Sequence, residues 1–116
     1  MTHLGGCQCG QVRYQVETDI ETVIACNCSR CGRIGSLLAF APIENFRILS
    51  GEDALTTFEF NKHIIKHKFC KVCGVQPFAI GRNPKTGTDV AAVNVRTIDG
   101  IDINSLNVTQ VDGRSF

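Results

Sequence analysis

The chain has 116 residues, 43% of them hydrophobic, and a formal net charge of +1. That size predicts a single domain over residues 1–116, and no apolar run is long enough to span a membrane. A charge so near zero argues against nucleic acid as a partner, and ionising the cysteines around metal would carry it below zero.

Residues 1–7 have neither a basic n-region nor an apolar h-region, which predicts a cytoplasmic protein. Residues 11–16 alternate and are rich in strand formers, and 22–25 run straight into a cysteine cluster. Residues 37–41, 46–49 and 55–60 follow, divided by Pro42 and by Ser50-Gly51. Further strands are predicted at 64–69, 77–80, 89–98 and 105–108, with 81–87 as an extended turn around Pro84. No window sustains a 3.6-residue apolar stripe, and 29–34 has room for one helical turn. The predicted class is mainly β with little helix.

The chemistry lies in seven cysteines, arranged as Cys7-x-Cys9, Cys26-x-Cys28-x-x-Cys31 and Cys70-x-x-Cys73. An odd count, one-residue spacings and a reducing compartment argue against disulfides and for metal. Glycine follows each CxxC unit, as Gly32 and Gly74, and its access to positive φ lets backbone N–H groups turn toward the sulfurs. Two such knuckles are a strong zinc signal. Spacing alone permits two partitions. One joins the two knuckles; the other joins Cys7 and Cys9 with Cys70 and Cys73 and leaves Cys26, Cys28 and Cys31 as a contiguous trio.

Gly6-Cys7-Gln8-Cys9-Gly10-Gln11-Val12-Arg13-Tyr14 resembles the opening of the glutathione-dependent formaldehyde-activating enzyme family, which includes centromere protein V. Cys26-Asn27-Cys28-Ser29-Arg30-Cys31 resembles that family's second motif, and Phe69-Cys70-Lys71-Val72-Cys73-Gly74-Val75-Gln76-Pro77-Phe78 its third. Residues 93–100 and Asp112-Gly113-Arg114 are similar to its C-terminal signatures. The resemblance implies zinc-pinned antiparallel sheets, called a β-tent, and two zinc ions per chain. It implies a structural zinc on Cys7, Cys9, Cys70 and Cys73, and a catalytic zinc on Cys26, Cys28 and Cys31. The chain departs from the family at Gln8 and Asn27, where histidine is common, and at Val111 and Phe116, where Phe and Trp are common.

A three-thiolate zinc with an open position favours an incoming thiol over water. The implied activity is therefore a carbon–sulfur lyase type, with a small-molecule thiol and an aldehyde as substrates and glutathione with formaldehyde as the prototype pair. The alternatives are a noncatalytic zinc-stabilised binding module and rubredoxin-like iron in the four-cysteine site. Outside the sulfurs, His63 and His67 would share a strand face with Phe69, and His67 reads either as a ligand or proton shuttle or as a half-buried strand histidine. Lys62, Lys66 and Lys68 read as carboxylate contacts or as a solvated face. Arg30 and Arg33 either grip a carboxylate or merely offset thiolate charge or hydrogen-bond a turn, and Asn94 and Arg96 either line a pocket or hold structure.

Overall fold

The computed structural model describes residues 1–115, with Ser115 described by its backbone alone; Phe116 lies outside the described residues. Strands β1 (Thr2–Gly6), β2 (Arg13–Glu17) and β5 (Phe46–Ser50) form a three-stranded antiparallel sheet. A second sheet of seven strands gathers β3 (Thr22–Cys26), β4 (Leu38–Pro42), β6 (Leu55–Phe58), β7 (Lys66–Cys70), β8 (Phe78–Arg82), β9 (Asp89–Asn94) and β10 (Asn107–Val111). Its order is β10-β3-β4-β9-β8-β7-β6. One short helix, α1 (Cys31–Ile34), follows β3.

The core follows from period-two alternation. Tyr14 and Val16 turn inward from β2 while Gln15 and Glu17 face outward, and they meet Val23, Ala39, Ala41, Ala91 and Val93 of the large sheet. The rings of Tyr14, Phe46 and Phe78 tie the sheets together, with centroids 5.4 Å apart for the first pair and 4.6 Å for the last. Thr97 Oγ1 donates to the Asn94 carbonyl at 2.7 Å, so the Tyr14 hydroxyl must donate to Thr97 Oγ1 at 2.8 Å. Burial keeps that phenol protonated, pushing its pKa up to about 12.

The structure is mainly β, as predicted, but several boundaries differ. The run at 89–98 is not one strand: β9 stops at Asn94, and residues 95–97 form a 3₁₀ turn capped by the Asn94 side chain. The strand expected at 64–69 starts only at Lys66, because Asn61 and His63 have positive φ in the preceding turn. His63 is therefore exposed in a loop and does not share a face with His67. β10 pairs with β3 in parallel, so the large sheet is mixed rather than wholly antiparallel.

Candidate metal centres

All seven cysteines are free thiols, and they form two clusters, each with its sulfurs within 4.8 Å of one another. Cys7 and Cys9 come from the loop between β1 and β2, Cys70 ends β7, and Cys73 stands in the turn that follows. The Cys7–Cys9 and Cys9–Cys70 sulfur separations are 3.5 and 3.7 Å. A tetrahedron with Zn–S bonds of about 2.3 Å has edges of about 3.8 Å, so these thiols fit such an ion. Gly74 has a φ of 81° and donates to the Cys70 carbonyl at 2.8 Å, closing the knuckle as its sequence predicts.

The other cluster is Cys26, Cys28 and Cys31, and among the described residues no further His, Cys, Asp or Glu joins it. Cys26 ends β3, Cys28 lies in a turn, and Cys31 opens α1. The Cys28 N–H faces the Cys26 sulfur at 3.4 Å, and the Cys31 N–H faces the Cys28 sulfur at 3.3 Å. Gly32 does not take the positive φ expected of it, because the chain enters α1 directly; Gly35 takes that role at 71° as the helix ends. Polar N–H groups and soft sulfurs in so small a volume suit zinc in this cluster as well.

Ionisation is divided within each cluster. Burial opposes charge at Cys73, but N–H groups of Val75 and Cys9 and the neighbouring sulfurs outweigh it and bring the thiol down to about 6. Cys9 gains from the Gln11 N–H, yet burial and three adjacent sulfurs push it up to about 11. In the trio, burial also disfavours the Cys28 thiolate, but N–H and sulfur donors draw its pKa down. Burial, with Cys28 beside it, pushes Cys31 up to about 12. The first thiolate takes the donors and repels the second; a dication would remove that repulsion.

The wall over the trio comes from the C-terminal segment. The Asn27 N–H donates to the Val111 carbonyl at 3.1 Å, and its side chain donates to Asp112 Oδ1 at 3.0 Å and accepts from the Arg114 N–H at 3.1 Å. Arg114 Nε also donates to the Asn27 carbonyl at 3.1 Å. Gly113 is thereby pressed so close to the trio that a Cβ there would collide with the Cys26 sulfur and stand 3.2 Å from Cys28 Cβ.

The charged candidates fall into two groups. Arg30 Nε and Nη2 both donate to Gln76 Oε1, at 3.0 and 2.7 Å, and its guanidinium lies 4.8 Å from the Phe58 ring centroid. That fixes the Gln76 amide so that Nε2 donates to His67 Nδ1 at 3.4 Å. His67 therefore carries its proton on Nε2, which is buried without a partner. Burial first, and Arg30 second, bring its pKa down to about 4. His67 belongs to neither sulfur cluster and stacks on Phe60 at 5.3 Å. Arg33 Nη1 donates to the Ser29 carbonyl at 2.9 Å.

Of the remaining candidates, Asn94 and Arg96 hold structure. Asn94 Nδ2 donates to the Gln76 carbonyl, and Arg96 Nε donates to the Gly35 carbonyl. Lys62 and Lys66 are exposed, and Lys68 Nζ donates to Thr57 at 2.6 Å. Sequence reasoning missed Gln76, Phe58, Phe60 and the latch function of Asn27. Gln76 and Asn27 lie inside motifs, but their partners are too distant along the chain for spacing to reveal them.

The chain is similar to a Rhodobacter sphaeroides protein whose crystal structure was determined in a structural genomics programme. Identity is 28% and the TM-score 0.78, over 91% of this chain and 99% of that one. Residues 2–109 match the model of the glutathione-dependent formaldehyde-activating enzyme family, so the match ends before Asp112-Gly113-Arg114. Two sulfur clusters on a mixed β scaffold, with a family match over most of the sequence, lead to one conclusion: the chain belongs to the glutathione-dependent formaldehyde-activating enzyme family.

Proposed function

We propose that the chain is a zinc-dependent carbon–sulfur lyase-type enzyme that forms or cleaves an S-hydroxyalkyl thiol adduct. In this reading Cys7, Cys9, Cys70 and Cys73 hold a structural zinc, and Cys26, Cys28 and Cys31 hold a catalytic one. The supporting observation is the inequality of the clusters: four sulfurs make a closed set, whereas three leave a position for a substrate atom. Zinc in the trio would supply a Lewis acid that ionises an incoming thiol. In the forward direction a sulfur–carbon bond forms to the aldehyde carbon, and the thiol proton ends on the former carbonyl oxygen. The reverse reaction returns both.

The protein's own part is positional. β3, α1 and the 111–114 segment fix three sulfurs and wall one side of the site, which restricts the approach of solvent and substrate. Family membership supports glutathione and formaldehyde as the prototype pair.

Metal content and adduct formation in wild type and Cys28→Ser test the assignment. The expected result is two zinc per chain falling to one, with the fold retained and at least a ~100-fold loss of turnover, the scale of a lost catalytic metal interaction. Unfolding of Cys28→Ser would reject the division of roles. Absence of adduct from wild type across a panel of thiols and aldehydes would favour a noncatalytic zinc-stabilised module.

A further inference from the structure

Ser29, Arg30, Arg33, Ile34, Phe58 and Phe60 line an open groove of about 480 Å³ between α1 and the β6–β7 hairpin. Ser29 and Arg30 belong to the turn joining Cys28 to Cys31, so one wall of the groove is built from the segment that carries two of the trio's cysteines. Among the described residues its lining has two guanidinium groups and no carboxylate. Arg30 is held in place by Gln76 and stacked over Phe58, with Phe69 also 5.9 Å from its guanidinium. That restraint lowers the side-chain entropy lost when an anion binds. Arg33, three residues on along the same wall, is exposed and donates from Nη1 to the Ser29 carbonyl.

The groove also exposes apolar surface: Ile34 is 42% and Phe58 43% exposed. Phe60 continues it, stacked on Phe58 at 5.9 Å and backed by His67, which is neutral and adds no third cation. A tripeptide thiol such as glutathione has an ammonium group as well as carboxylates. Among the described residues no side chain lining this groove has a carboxylate to receive it.

We propose that this groove binds a monocarboxylic acid with an apolar or aromatic body, its carboxylate between Arg30 and Arg33 and its body against Ile34, Phe58 and Phe60. Resting on the enzymatic reading of the trio, the groove selects thiols or aldehydes that carry such an acid over the glutathione prototype. The binding itself does not depend on turnover.

Amide NMR shifts of the zinc-loaded chain, titrated with 3-phenylpropionate, 3-phenylpropanol and S-methylglutathione, test the proposal. The acid should bind about tenfold or more tightly than either competitor, the scale of a charge-assisted bidentate contact, with shifts centred on residues 29–34 and 58–60. Arg33→Gln should weaken the acid about tenfold and leave the alcohol unchanged. Arg30→Lys should also weaken it, since the charge remains but the Gln76 anchor and the stack on Phe58 are lost. Equal binding of acid and alcohol, tighter binding of S-methylglutathione, or shifts away from the groove would overturn the proposal. The adduct assay separates the two ideas. Acid bound in the groove without any adduct removes the enzyme reading alone; adduct formation without acid preference removes the groove alone.

Discussion

Asn27 occupies the one position between two sulfurs of the trio, and its four hydrogen bonds to residues 111–114 show why an amide serves there. It donates to Asp112 and accepts from Arg114 with the same side chain, which a purely donating or purely accepting group cannot do. Gly113 is the consequence: the latch brings its backbone where only hydrogen fits beside the Cys26 sulfur. Gly113→Ala should therefore lower metal affinity of the trio by about 10–100-fold, the range seen when an outer-shell partner of a metal site is lost. Chelator competition should show one zinc leaving early and the four-cysteine zinc held as in wild type; parallel loss of both would contradict this. At the same scale, the sequence left His67 open between ligand and strand histidine. The structure removes the ligand reading, because the Arg30–Gln76 pair fixes the ring as a neutral Nε2–H donor outside both clusters.

Among the elements, alternation made most of the strands legible, and the exceptions have physical causes. β1 was not predicted, since Gly5, Gly6 and a polar start give no strand signal. The glycines are there for closeness: a Cβ on Gly5 would stand 2.5 Å from the Tyr14 hydroxyl and from the Thr97 carbonyl oxygen. The end of β9 was overrun because Val95 and Ile98 continue the apolar pattern while facing the core from a 3₁₀ turn and its exit. The parallel partner of β3 has no local signature, since pairing across the length of the chain is set by packing. Gly51 gives a test at this scale. It has a φ of 80°, and a Cβ there would strike the Gln11 carbonyl just after the first cysteine pair. Gly51→Ala should destabilise the protein by about 2–4 kcal/mol in denaturant unfolding, combining strain with overpacking. A change below about 0.5 kcal/mol would mean that the β5 turn is not held by this contact.

For the molecule as a whole, the two clusters play unequal mechanical parts. Cys7 follows β1 of the small sheet and Cys70 ends β7 of the large one, so the four-sulfur cluster joins the sheets at a second point beyond the aromatic bridge. Cys7 and Cys70 pack with Val12 and Ala54 in a small core of their own, whose cohesion depends on those sulfurs staying together. Structural zinc contributes roughly 10–16 kcal/mol of apparent free energy in small peptides. A typical domain has a net stability of roughly 5–15 kcal/mol. Stripping zinc from the four-sulfur cluster should therefore abolish folding, read as loss of β-sheet circular dichroism and of dispersed amide resonances. Removal of zinc from the trio alone should leave both signals in place. A metal-free chain that kept its dispersed spectrum would show that apolar packing suffices. The motifs made both sulfur sets visible in the sequence, but which sulfurs come together depends on how two sheets meet, and spacing does not encode that.

The parallel pairing of β10 with β3 has a consequence in time. The ligands of the four-sulfur cluster are all made by Cys73, whereas the segment that walls the trio follows β10 at residues 112–114. During synthesis the first ion can join the sheets while the last strand is still unmade, and the trio waits uncovered until β10 settles beside Cys26. On the two-zinc reading, one cluster would close on the arrival of metal alone, and the other would need the arrival of chain as well.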